Sequence, residues 1–161
     1  VASFILAIAA VTAACWVPPV DAPVTDVFRL PSCRWCAGNR GLEYGTTPGG
    51  AVRAVESGVV SFAGSVAGVR YVVVTHADGL RATYGRMATV SVRSGSSVAT
   101  GERLGSTGAG FYFGLRDAET PIDPAPRLGR WVRRARLVPI DGSPRRSMAP
   151  RLVCRNPDLG R

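Results

Sequence analysis

The stretch Gly108-Ala109-Gly110-Phe111-Tyr112-Phe113-Gly114-Leu115-Arg116 alternates Phe111, Phe113 and Leu115 with Tyr112, Gly114 and Arg116. A period of two reads as a strand, with the first set on an apolar face and the second on a face that can line a groove. Whatever Tyr112 points at is the candidate functional site.

Outward from this strand the chain consists of short apolar runs separated by turn residues. Thr46-Thr47-Pro48-Gly49-Gly50 is turn chemistry, followed by Ala51-Val52-Arg53-Ala54-Val55 and then Gly58-Val59-Val60-Ser61-Phe62-Ala63-Gly64, two strands in close succession. Arg70-Tyr71-Val72-Val73-Val74-Thr75-His76 and Leu80-Arg81-Ala82-Thr83-Tyr84 flank Ala77-Asp78-Gly79. That is a β-hairpin, because Asp-Gly supplies the positive backbone angle the turn needs. His76, at its mouth, reads as a hairpin or packing residue rather than a catalyst. Gly95, Gly101, Gly105 and Gly108 recur where short strands must turn, which suits a small, strongly bent all-β sandwich or barrel. Its body starts near Phe28, after a Pro-rich, extended linker at residues 18–27.

The 161 residues, 46% hydrophobic and 19% charged, suffice for one domain with a real core plus flanking segments. Every basic side chain is Arg, a usage that fits the coding bias of a GC-rich genome. The formal charge is +9, and from Arg127 to the end ten Arg face only Asp141 and Asp158. The Arg-rich C-terminal extension, residues 129–161, is either a solvated surface or an attractor of polyanions through screened, non-specific electrostatics. Nucleic acid is disfavoured as that polyanion, since few aromatic residues interleave with those Arg.

Residues 1–17 carry no charged side chain and are dominated by Ala, Val, Ile, Leu and Phe. This is a membrane-directed segment, a signal peptide or a retained anchor, somewhat short for the ~20 residues of a comfortable transmembrane helix. A buried N-terminal helix is the alternative. Thr12-Ala13-Ala14 offers a processing site, and with Cys15 it resembles a lipoprotein site, so Cys15 is removed, lipidated or just retained. Export places the chain outside the cytoplasm, secreted or associated with membrane or wall, and permits disulfides. Cys33-Arg34-Trp35-Cys36 has the spacing of half a zinc site or a redox pair, but a structural zinc needs four ligands and His76 is the one His of the chain. One disulfide is expected, joining Cys33 to Cys36 or either of them to Cys154.

Several signposts in order resemble the lysostaphin/LytM-type zinc endopeptidase family, which cuts peptide cross-links in bacterial peptidoglycan. They are Arg40-Gly41-Leu42-Glu43, Pro48-Gly49-Gly50-Ala51-Val52-Arg53-Ala54, Gly58-Val59-Val60-Ser61-Phe62-Ala63-Gly64, His76-Ala77-Asp78-Gly79, Thr83-Tyr84, Val98-Ala99-Thr100-Gly101 and Phe113-Gly114-Leu115-Arg116. The resemblance implies a compact antiparallel β-sandwich over residues 28–128, with a groove across one sheet.

The family's zinc is held by the His and Asp of a His-x-x-x-Asp motif and by the second His of a His-x-His strand, while other His residues assist. Here the first motif falls on Asn39 and Glu43, the strand motif on Gly110 and Tyr112, and another catalytic His on Arg86. Only Glu43 can still ligate zinc well, whereas hydrolysis needs three protein ligands and an open position. Arg86 also places a permanent positive charge where the cation should sit. The resemblance therefore implies a member lacking most of the metal ligands, with Asn39, Glu43 and Tyr112 at the former ligand positions, without the catalytic groups at Gly110 and Arg86, and with no expected cofactor.

Glu43 and Arg86 are expected to pair across the old site, with the Tyr112 hydroxyl bonded to one of them. The groove lined by Asn39, Glu43, Arg86 and Tyr112 then either keeps a ligand or is filled by these side chains. The function to expect is an exported, catalytically degenerate module that binds or regulates at the cell wall. Its partners would be peptidoglycan or another anionic envelope polymer and a cell-wall hydrolase that it activates, with membrane contact through residues 1–17. The alternative is an active zinc endopeptidase with a non-standard site.

Overall fold

A computed structural model describes residues 15–33, 35–132 and 149–154, and these contain eleven strands and no helix. In order they are β1 (Val24–Asp26), β2 (Gly41–Tyr44), β3 (Ala51–Arg53), β4 (Gly58–Val66), β5 (Val69–Thr75), β6 (Arg81–Val90), β7 (Ser97–Val98), β8 (Arg103–Asp117), β9 (Thr120–Ile122), β10 (Arg130–Val132) and β11 (Arg151–Val153). The first nine form one sheet in the order β1-β2-β8-β6-β5-β4-β7, with β3 and β9 also paired to β8, while β10 and β11 pair with each other. Neighbouring strands are antiparallel throughout.

The 15-residue β8 organises the sheet, pairing with β3 near its start and β9 at its end. Its alternation places Phe111, Phe113 and Leu115 in the core, all fully buried. They stand in register with Tyr44 and Leu42 of β2 and with Tyr84 and Ala82 of β6. Near its middle β8 loses register with β6: Gly85 faces Tyr112, whereas Met87 faces Thr107. Arg86 and Gly110 lie in this interruption with left-handed backbone angles, φ 58° and 72°. Such bulges bend long strands. The sheet folds over itself there, and Val52, Val60, Val98 and Leu104 join Tyr84, Phe111 and Phe113 in one core. The Val55 N–H donates a 2.9 Å hydrogen bond to the buried Tyr84 hydroxyl, a further tie between the halves.

The N-terminal boundary differs from the expected one. Residues 18–27 are extended but do not act as a spacer, because Pro19 and Val20 are buried and β1 joins the sheet beside β2. Trp16 is buried too; its N–H donates to the Arg127 carbonyl and its own carbonyl accepts from Gly129, both at 2.9 Å. A run carrying Trp16, Pro19 and Val20 packs as a strap because burial removes apolar surface from water, and linker composition does not prevent that. The apolar stretch 1–14 and its proposed membrane contact lie outside the described residues. So do 133–148 and 155–161 of the basic extension.

The cysteines also pair differently from the single disulfide expected. Cys33 bonds Cys36, one of the anticipated pairings, but Cys154 bonds Cys15, 139 residues away in sequence. Docking of Trp16 beside Leu128 brings Cys15 against Gly129 at the foot of β10, where Cys154 arrives at the end of β11. The Cys15 sulfur is occupied by this bond, which corrects the lipidation alternative.

Candidate functional site

Strand register aligns Gly64, Tyr71, Gly85, Tyr112 and Glu43 in a row across β4, β5, β6, β8 and β2. Their parity is opposite to that of the core residues Val72, Tyr84, Phe113 and Leu42, so they share the outer face. Glycines make the floor. A Cβ at Gly85 would lie 2.7 Å from the Tyr71 ring and 3.3 Å from that of Tyr112, and one at Gly41 would lie 2.8 Å from the Tyr112 ring. The two tyrosines therefore lean over space that side chains at those positions would fill.

Arg86 enters this face from the bulge. Its Nη1 donates to Glu43 Oε2 at 3.0 Å and its Nη2 to Oε1 at 2.8 Å, a two-pronged, charge-assisted contact. The side chains are 45% and 32% exposed, so the pair sits at the water boundary. The hydrogen bonds that Arg86 donates to Glu43 hold its pKa above its ordinary value. Burial raises the Tyr112 phenol above the usual tyrosine range, against the opposing influence of Arg116, Arg40 and Arg86.

The Tyr112 hydroxyl does not take the role expected of it. Both Glu43 oxygens lie in the Arg86 fork, and the hydroxyl oxygen lies 2.7 Å from where a Gly114 Cβ would be. The ring turns toward the gap left by Gly41 and Gly114 because there it buries its edge. Asn39 is buried at the margin of this face: its Nδ2 donates to Asp26 Oδ2, and its Oδ1 accepts from the Gly41 N–H, each at 3.2 Å. The same Asp26 pairs with Arg29, whose hydrogen bond holds the Asp26 carboxyl below the usual carboxylate range. Gly110 stands beside Arg86 in the bulge, its missing Cβ 3.9 Å from Nη1. His76 lies apart from the groove, buried against the Trp16 ring with Nδ1 2.9 Å from the Ser57 carbonyl. The Cys33–Cys36 loop exposes Trp35, and Cys154, at the end of β11, is tied through Cys15 to the start of the strap.

These residues do not fit zinc. At the positions where the resemblance places ligands, both polar ends of Asn39 are engaged, both Glu43 oxygens are held by a cation, and Tyr112 aims its oxygen over Gly114. Among the described residues no group of three or more His, Cys, Asp or Glu could hold a metal ion.

Sequence reading missed Tyr71, although its alternation with Val72 and Val74 carries the same signal as Tyr112. It also missed a cleft of about 620 Å³ between the strap and β10, lined by Val20, Val27, Leu42, Tyr44, Leu128 and Trp131. No local pattern announces that cleft, which exists only once the strap docks.

Among known proteins, residues 37–124 match Peptidase family M23. An uncharacterized protein of Haemophilus influenzae is 34% identical over 126 residues, which cover 71% of this chain and 29% of the relative. The chain thus spans under a third of that relative's length. Csd3 of Helicobacter pylori has a similar structure, with a TM-score of 0.63 at 24% identity over 71% of this chain and 34% of Csd3. Lysostaphin gives 0.57 at 21% identity, over 65% of this chain and 49% of its own. At these identities the structural likeness speaks for the fold.

Proposed function

Because the chain belongs to peptidase family M23, we propose that it is a catalytically degenerate, exported member acting at the cell wall as a binding or regulatory module. The observation that carries this reading is the Arg86 fork closed on Glu43. A guanidinium at that place repels a divalent cation and occupies the one remaining carboxylate. Export is supported by the uncharged apolar stretch at residues 1–17 and by the pairing of all four cysteines, since disulfides persist in oxidising compartments. The Arg-rich extension favours retention on peptidoglycan or another anionic envelope polymer, and a cell-wall hydrolase is the protein partner this role calls for.

Two measurements test it. The purified protein should carry no stoichiometric zinc and release no fragments from peptidoglycan. Bound zinc, with digestion abolished by Glu43→Ala, would instead establish an active endopeptidase. The full chain should pellet with insoluble peptidoglycan at low salt and be released as salt rises; a chain left in the supernatant at low salt removes the wall-binding reading.

A further inference from the structure

We propose that the outer face of the sheet is a carboxylate-binding site. In it Arg86 is the receptor, Tyr71 and Tyr112 are the apolar walls, and Glu43 occupies the fork until an incoming carboxylate displaces it. The inference rests on reading the groove as a retained binding site and names the ligand chemistry: a short peptide with a free carboxylate next to a small apolar side chain.

Arg86 is held with φ 58°, a left-handed conformation that suits glycine and disfavours an arginine. Strain of this kind persists where the surroundings hold it, and functional sites are where it collects. Here the strained residue carries a guanidinium across the face to Glu43, and Gly110 leaves space beside Nη1.

The contact with Glu43 demonstrates what the fork accepts, since two parallel N–H donors match the two oxygens of one carboxylate. The pair is open to water, so exchanging Glu43 for another carboxylate does not leave a buried charge unpaired. Positive charge borders this face: Arg116, Arg40 and Arg86 all oppose the rise that burial causes in the Tyr112 phenol. Beside the fork, Tyr71 and Tyr112 lean over Gly85 and form a shallow apolar platform. A small side chain such as a methyl group can lie there, while a polar end reaches the guanidinium.

The test uses the full chain with its disulfides intact, titrated with N-acetyl-D-alanyl-D-alanine and with its C-terminal amide and followed by calorimetry. The acid should bind at least about tenfold more tightly than the amide, and Arg86→Ala should abolish the difference. Arg86→Lys, which keeps the charge without the fork, should retain only a fraction of it. Glu43→Gln should tighten binding of the acid severalfold, because the fork no longer holds an internal carboxylate. Equal binding of acid and amide, or a Glu43→Gln protein that binds the acid no better than the parent, would overturn the proposal. Sodium acetate and glucuronate at matched ionic strength separate the sources: a peptide site prefers the dipeptide to both, and a preference for glucuronate would refute the peptide assignment. Peptidoglycan pelleting of the same proteins keeps the two readings apart. Pelleting without dipeptide binding sinks the carboxylate site and leaves wall association standing, and dipeptide binding without pelleting does the reverse.

Discussion

Tyr84 shows how much one polar atom decides in this core. Its side chain is fully buried, and its hydroxyl is the acceptor for the Val55 N–H at 2.9 Å. Tyr84→Phe leaves that backbone donor without a partner, and urea unfolding should register a loss of about 1–3 kcal/mol. Burial also raises the Tyr84 phenol well above its ordinary value. A group whose folded pKa is raised contributes stability that is complete below the unfolded pKa, near 10, and is lost as pH climbs toward the folded one. Stability should therefore fall above about pH 10, with less of a fall in Tyr84→Phe. The Glu43–Arg86 pair lies at the opposite extreme. It is partly exposed, and a double-mutant cycle on thermal or urea unfolding should return a coupling of about 0.2–1 kcal/mol. A groove pair kept for its stabilising effect would give more.

At the scale of the element, β8 was legible because a strand's parity is a local property. The alternation of Phe111, Phe113 and Leu115 with Tyr112 and Gly114 predicts the core face without knowing the partner strands. The Asp78-Gly79 hairpin was legible for the same reason, its turn residues lying between the strands they join. The bulge at Arg86 was not, since an interruption of register involves two strands far apart in sequence. Gly105 shows the consequence: a Cβ there would lie 2.0 Å from the Thr89 carbonyl oxygen, which is backbone and cannot swing aside. Gly105→Ala should destabilise the fold by about 3 kcal/mol. Gly49, with φ 96° and nothing within 4 Å, has only its conformation to lose. Gly49→Ala should lose about 1–2 kcal/mol in the same urea titration.

Over the whole molecule, the strap and the Cys15–Cys154 bond tie the described part of the N-terminal run to β10 and β11. A bond spanning 139 residues restricts the unfolded chain strongly. Cys154→Ala should lower stability by about 2–5 kcal/mol and depress the melting temperature, with the Trp16 fluorescence environment altered.

The sequence by itself determined the all-β architecture, the resemblance over residues 28–128 and the identities of Asn39, Glu43, Arg86, Gly110 and Tyr112 at positions where the family carries metal chemistry. Parity, turn chemistry and motif spacing are short-range, and a single chain displays them. Only the tertiary structure decided that Cys154 bonds Cys15, that Trp16 and Val20 pack into the core, and that Tyr71 and Tyr112 meet over Gly85 beside the Arg86 fork. Each of these depends on register and docking between distant segments, and it is apolar burial across the whole core that selects among the arrangements local pattern allows.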